Sequence, residues 1–590
     1  MIRFLSADHS ASGRHKKISF FDMRKNRPVF QVILIAVGIL LVISTNAFAA
    51  FVEQFAITPK AISLANACTA NPPGILSIHY NPAGLSKMPE GNMFNQSFTL
   101  PWLQKTAKFK ADKDFKGFMN TWGPQEGQEH DPVAGKRDTN SSGVMYIPIL
   151  NRTINFLIGP SMGISTKKPG SRWTFAIANY APFAGGLNHP SDSPVSWGGR
   201  TLYQQHLIYA APGASYQLTP NLALGMSVGI GQTAMGIRTK MRSPNELVSL
   251  TRVLGDATKD LEIPIVSELT LPPPWFGGGL GPYDQAATLK VRLRDDFSPN
   301  YNLGFLWEPK KWLTIGGVYQ SEIKIQASGR YTFKYSEQFQ RMQNWQGSSP
   351  LLLIVAGMLD LPTKGVPYQS GTAYTSFKFP RRIQTGIMVR PLKRLSVEFD
   401  VNYANWSVQK NNHFTFDQDI QAFKLVKLLG YTHGNRDLVV TRNMKDTIHF
   451  GVSLEYQLNN KLTLRCGYEH RPTSVPKKYF DQLYFVPDLD FYAVGAGIKL
   501  PHQTTLDVAL GLIYNGSYKV PDNTSINMNS TDFTHPVYNP YAGLDYEQKT
   551  AIYMASVGLT MPFSAFIEMQ KEMMHKQQEA INHILSLFKH

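Results

Sequence analysis

The chain has 590 residues, of which 12% are aromatic and only 17% charged. That is too long for one ordinary soluble domain and too apolar for a disordered tail. The formal charge of +17 points at first sight to nucleic acid, but Arg3, Arg14, Lys16, Lys17, Arg24, Lys25 and Arg27 crowd the first 49 residues and the remaining basic residues are scattered. Without a basic block the charge reads as solvated surface, and nucleic acid is set aside.

Residues 23–50 read MRKNRPVFQVILIAVGILLVISTNAFAA. A basic start, an apolar run and Ala47-Phe48-Ala49 make a secretory signal peptide, with cleavage expected after Ala49. The run from Val29 to Ser44 is short for a spanning helix. Residues 1–22 are an unusual preface to such a signal, so translation is expected to start at Met23. No later stretch is long and apolar enough for a helical span: LLLIVAGMLDL (351–361) is interrupted by Asp360 and followed by Pro362. Cys68 and Cys466 would meet an oxidising compartment. Cys466 shares the outward parity of Leu462, Leu464 and Tyr468, so a bond between the two is not expected.

Strict apolar/polar alternation recurs along the rest of the chain. It runs through Leu222–Ile230, Leu395–Tyr403 (LSVEFDVNY), Ile448–Tyr456, Leu506–Tyr514 and Tyr553–Phe563. Such a strand has one face in grease and the other in a polar place. Runs of about nine to eleven residues cross a bilayer as tilted strands, and aromatic residues at their ends suit an interfacial girdle.

The connections decide between a soluble sandwich and a membrane barrel. Short ones, QLTPN (217–221), EPKK (308–311), PLKR (391–394), QLNNK (457–461) and PHQT (501–504), alternate with long ones near 242–299, 336–376, 411–445, 473–487 and 517–546. Outer-membrane barrels sort their connections this way, with short turns in the periplasm and long loops outside. Lipid also requires that the sheet close on itself. Eleven strands count back from Phe563 to about residue 203. Three more are expected near Met93–Lys108, Gly143–Gly159 and Arg172–Phe183, giving fourteen.

Five segments in order then resemble the FadL-type outer-membrane transporters of long-chain fatty acids and other hydrophobic compounds. They are IHYNPAGLSKM (78–88), residues 301–333 (YNLGFLWEPKKWLTIGGVYQSEIKIQASGRYTF), 377–407, 445–470 and 486–514. The resemblance implies an all-β fold: a 14-stranded antiparallel transmembrane β-barrel (93–563) plugged by an N-terminal hatch (50–92). It also implies passive transport, with capture outside, an interior pocket and sideways release into the membrane. The expected partners are long-chain fatty acids or other hydrophobic small molecules and outer-membrane lipid, with a monomeric barrel and no cofactor. A binding or adhesion barrel without transport, or a general porin, stays open beside this reading.

Site residues follow by position. Asn81-Pro82-Ala83 marks the hatch, where Pro fixes φ and Asn bonds local backbone. The third strand carries YAPFAGGL (180–187). Pro182 cannot donate to a ladder and Gly185-Gly186 permit a bulge, so Tyr180, Pro182, Gly185 and Gly186 are expected at a lateral opening. The alternative is a strand end becoming loop. Two greasy loops, with Trp275 and Phe276 in one and Leu351, Leu352, Leu353 and Ile354 in the other, are expected to form the capture groove or simply a lid. A carboxylate in a greasy pocket wants a cation, so Arg465, Arg238 and Lys324 are candidates. Pairing with interior acids is the competing expectation. No catalytic or metal-binding motif is found, and no enzyme is expected.

Residues 564–590 depart from the family pattern. Ile567, Met574, Ile581 and Phe588 recur every seven residues, with Ile584 and Leu585 filling the stripe of an amphipathic helix. Strand parity places it in the periplasm, where it would meet a periplasmic partner, the inner leaflet or the barrel's own rim.

Overall fold

The computed structural model describes residues 57–587, except 119–129, 149, 262–269, 428–432, 483–487, 515–517, 522 and 533–537. The signal peptide, its cleavage point and the start residue lie outside the described residues.

The fourteen wall strands form one closed antiparallel ladder. β1 is Gly91–Ala111, β2 Gly159–Lys167, β3 Trp173–Asn188, β4 Thr201–Thr219 and β5 Leu222–Met241. The next five positions are each built from two consecutive strands. These are β6 (Ala287–Asp295, Asn300–Lys310), β7 (Leu313–Gln320, Ile323–Tyr335), β8 (Tyr368–Phe379, Arg382–Leu392), β9 (Leu395–Ala404, Asn411–Phe416) and β10 (Asp437–Thr441, Thr447–Gln457). β11 (Leu462–Arg471), β12 (Leu489–Lys499), β13 (Thr505–Tyr514) and β14 (Leu544–Pro562) complete the circuit. β14 pairs with β1 from Met93 to Ala111, which closes the barrel.

The second strand is not where alternation placed it. The expected Gly143–Gly159 strand is replaced by Gly159–Lys167. Met145–Ile147 and Arg152–Ile154 instead pair as a small hairpin. The apolar run MYIPIL drew the expectation. The real strand is made of small residues because the chain presses on it from within: a Cβ on Gly163 would lie 2.6 Å from Ile75 Cγ2.

The opening alternation has a direct structural meaning. In the lower wall, Leu224, Met226, Val228, Tyr301, Leu303 and Phe305 face outward and are exposed, as lipid contact requires. Their neighbours face residues 57–90. In LSVEFDVNY, Glu398 accepts the Ala70 N–H at 2.5 Å, and Asp400 accepts the Thr69 N–H and hydroxyl at 3.0 and 2.7 Å. Ser227 and Asn302 both donate to the Ile78 carbonyl.

Higher up, the pattern inverts. In β6 Leu289, Val291 and Leu293 are buried inside the wall while Lys290, Arg292 and Arg294 are exposed outside. The breaks at 296–299 in β6, 321–322 in β7 and 380–381 in β8 shift the parity, so a strand that is greasy outside below is greasy inside above. These strands therefore extend well beyond the nine to eleven residues that the lipid band needs.

The longer helices described in the extracellular loops are α1 (Glu246–Thr258), α2 (Glu337–Trp345) and α3 (Pro350–Met358). Asn245, Ser336 and Ser349 cap them, each accepting a backbone N–H three residues on. The C-terminal helix α4 (Phe563–Leu587) leaves β14 without a break. Its first turn covers the outward face of the wall. Phe566 stacks on Phe94 at 3.9 Å, and Phe94 is only 4% exposed, whereas Trp102 on the same face is 69% exposed.

Candidate functional site

Residues 57–90 line the inside of the wall in short turns: helices at Pro59–Ser63 and Ser77–Tyr80 and a 3₁₀ turn at Pro82–Lys87. Asn81 organises this segment. Its side-chain oxygen accepts the Ala83 N–H, and its amide nitrogen donates to the carbonyls of Thr69 at 2.9 Å and Phe305 at 3.0 Å. Pro82 sits at the first helical position, where its missing N–H costs nothing. Glycines in the wall make the approach possible: a Cβ on Gly225 would lie 2.2 Å from the Ala83 nitrogen.

β3 breaks its ladder where Pro182 predicts a break. Against β4 the register shifts between Ala178, Tyr180 and Phe183, and the three steps from Tyr180 to Phe183 span two on β4. On the other side, β2 stops pairing with β3 at Asn179, and pairing resumes only at Leu187 and Asn188 with the short strand Ser142–Gly143. Among the described residues, 180–186 meet no wall strand on that side. A small cleft of about 50 Å³ lies there, between Thr99, Pro101 and Leu103 of β1 and Ala181, Ala184 and Gly185 of β3. Leu157 and Ile158 line it from the loop, and Gly186 lies under the Val144 carbonyl.

Tyr180 and Pro182 face elsewhere. Tyr180 is buried against His79, with ring centroids 5.1 Å apart. Pro182 and Phe183 line a second, small cavity of about 60 Å³ inside the barrel, with His79, Phe379, Arg382 and Trp406. Phe183 stands edge-on to Phe379 at 4.4 Å. The same four-residue bulge thus touches an interior chamber on one side and a gap in the wall on the other.

The two greasy loops meet. Phe276 lies 4.9 Å from the Trp345 ring, and Trp345 Nε1 donates to the Pro272 carbonyl at 2.7 Å. Trp275 is half-buried beside α1, its N–H donating to Thr258. The α3 residues divide: Leu352 is 6% exposed and points into the loop, Leu351 is half-buried, and Leu353, Ile354 and Met358 are open to the outside. Residues 262–269 of the first loop lie outside the described residues.

None of the three candidate cations reaches the chamber. Arg465 points inward near the short-turn end, where Nε donates to Glu455 at 2.7 Å and Nη1 to Asp507 at 2.6 Å. It is held by interior acids, the competing expectation above. Arg238 and Lys324 face outward, each directly opposite another cation, Lys290 and Lys378. The cation that does line the chamber is Arg382, which follows Phe379-Pro380 at the parity break of β8. The sequence signal for it was that break: the second of two Arg that follow a strand-interrupting Pro.

Comparison with known proteins now bears on this geometry. Residues 39–563 match the model of the family described as outer membrane protein transport protein (OMPP1/FadL/TodX). The chain belongs to this family. Among solved structures it resembles a Pseudomonas aeruginosa FadL homologue at TM-score 0.60 and 15% identity, covering 87% of this chain and 99% of that one. It also resembles the Pseudomonas putida toluene transporter TodX at TM-score 0.53 and 15% identity, covering 88% and 100%. No curated protein matches the chain. At these identities the structures establish the shared barrel fold. Family and barrel together make this an outer-membrane protein, and the absence of any helix among the described residues long and apolar enough to cross a membrane bears only on helical spans.

Within the family frame, Cys68 and Cys466 are both free, one buried in the N-terminal segment and one on the outer face. The first wall strand begins at Gly91 and α4 at Phe563.

Proposed function

We propose that this barrel carries hydrophobic small molecules, long-chain fatty acids or apolar aromatics, passively from the exterior into the outer membrane. Residues 57–90 act as the hatch that blocks a straight path. A ligand lands on the exposed face of α3, enters the chamber at Phe183, Phe379 and Trp406, and leaves past the β3 bulge through the cleft between β1 and β3. The observation that carries this reading is the placement of chamber and cleft on either side of residues 180–186. Arg382 and His79, with Asn300, Gln320 and Ser321, add polar groups to a lining that also holds Phe183, Ile323, Phe379 and Trp406, which suits a carboxylate-bearing chain. Release needs no energy source, because moving an apolar chain from water into lipid gains about 0.8 kcal/mol per CH₂.

The test is uptake of labelled oleate and of toluene by cells carrying the wild type or Ala184→Trp, which fills the cleft from its lining. Uptake that falls at least tenfold, in a barrel that still co-purifies with ligand, supports lateral release. Undiminished uptake by the variant removes the lateral route. Large ion conductance of the wild type in planar bilayers would mark an open porin instead.

A further inference from the structure

Above the lipid band, the outer face of β5, β6 and β7 carries Arg238, Lys290, Arg292, Arg330 and Lys334. Arg238 stands directly opposite Lys290, and Arg292 directly opposite Arg330. Directly opposed residues on one sheet face have Cβ atoms about 5 Å apart, and like charges there destabilise the pair. Among the described residues, no carboxylate forms an ion pair with any of the five. Some surface cations elsewhere are paired: Arg294 with Asp296 at 2.7 Å, Lys378 with Glu322 at 3.0 Å, and Lys424 with both Asp360 and Asp419. Four of the five here instead stand in two directly opposed cation pairs. Their inward neighbours Leu289, Val291, Leu293, Tyr331 and Phe333 are buried, so the strand cannot rotate the cations away.

We propose that this patch binds the phosphates of a phosphorylated glycolipid in the outer leaflet. An anion that bridges opposed cations converts the repulsion into attraction, and guanidinium groups match phosphate with paired hydrogen bonds. The height selects the class of lipid. Ile230 is the last exposed large apolar residue of β5, and Arg238 follows it on the same strand. At about 3.4 Å per residue and a tilt of ~40°, Arg238 stands roughly 20 Å above the apolar band. The headgroup layer of an ordinary phospholipid is only about 5–8 Å thick. Phosphates that reach the patch must therefore be carried on a saccharide headgroup, lying against the wall while the acyl chains cover Met226, Val228 and Ile230 below.

The experiment uses the full chain in detergent and reads Tm and bound lipid. The probes are rough lipopolysaccharide, whose inner sugars carry phosphate, phosphatidylglycerol, and inorganic phosphate at equal phosphate concentration. The test variant is Lys290→Ser, Arg292→Ser, Arg330→Ser. The control is Lys108→Ser, Lys110→Ser, Lys549→Ser, on the outward face of β1 and β14. The glycolipid is expected to raise the Tm of wild type and control. The test variant is expected to have a higher Tm than wild type without lipid, because repulsion is relieved, and to retain glycolipid at least tenfold more weakly. The proposal is overturned if the test variant retains glycolipid like wild type. It is equally overturned if phosphatidylglycerol or inorganic phosphate gives the same shift as the glycolipid, or if the lipid-free test variant is less stable than wild type.

Discussion

Gly304 of β6 faces Asn81 so closely that a Cβ on the glycine would lie 2.2 Å from the Asn81 side-chain oxygen. The same oxygen caps the turn at Ala83, and the amide nitrogen reaches the carbonyl of Phe305, the next residue along the wall. Wall and inner segment are thus fitted to each other atom by atom at this point. Gly304→Val should push the Asn-Pro-Ala turn off the wall, and Asn81→Ala should release it from both carbonyls. Losing the cap costs about 1 kcal/mol, and each buried carbonyl left bare costs roughly 1–3 kcal/mol. Single-channel conductance in planar bilayers should rise in both variants while the barrel stays folded. Conductance equal to wild type in both would show that this contact does not hold the segment in place.

Capture should depend on the exposed side of α3 and not on its buried side. Leu353→Ser with Met358→Ser removes apolar surface that faces outward; Met358 is 81% exposed. Ligand binding should weaken several-fold with Tm unchanged. Leu352→Ser, at the buried position, should instead lower stability by about 2 kcal/mol through the lost packing. Titration with a fluorescent fatty acid beside thermal unfolding separates the two effects.

Arg465→Ala should be a stability variant. It leaves Glu455 and Asp507 facing each other without their shared cation, in a site where Arg465 is 9% exposed. Breaking one partner out of a mostly buried pair costs on the order of 3 kcal/mol. Unfolding in urea should shift to lower denaturant while the affinity for a carboxylate ligand is unaltered. An affinity loss at unchanged stability would return Arg465 to the ligand.

The loop between β3 and β4 should loosen in acid. His189 bonds Asp138 at 3.0 Å, and Ser193 donates to the same carboxylate. Burial pushes the His189 pKa below its ordinary value, against the pull of Asp138. Burial also pushes the Asp138 carboxyl up, but the hydrogen bonds from His189 and Ser193 outweigh it and hold the pKa below the usual carboxylate range. Both groups have depressed folded-state values. His189 thus contributes stability that is complete above about pH 6.5 and declines as pH falls through its folded value. Asp138 contributes stability that is lost below about pH 4. Amide protection factors at residues 186–200, which remove the intrinsic pH dependence of exchange, should fall between pH 7.5 and pH 5, and His189→Gln should flatten the first part of that change.

The barrel was legible in the sequence because lipid imposes a local rule. Each strand that crosses the band must turn alternate residues to the hydrocarbon, so Leu395–Tyr403 or Leu506–Tyr514 announces itself without its partners. The sorting of short and long connections follows from the same geometry, and Pro182 marks a ladder break because it lacks an N–H wherever it stands. The tertiary structure decided what depends on residues distant in the chain. β2 was misplaced because its glycine and serines answer to Ile57 and Ile75 inside the barrel, not to a pattern of their own. Arg465, Arg238 and Arg382 are alike in sequence, and only closure of the wall sends the first to Glu455 and Asp507, the second outward to Lys290, and the third into the chamber. Local chemistry determines which face of a strand can meet lipid. Where each polar face ends up is set by a parity shift of one residue and by whatever the closed sheet places across from it.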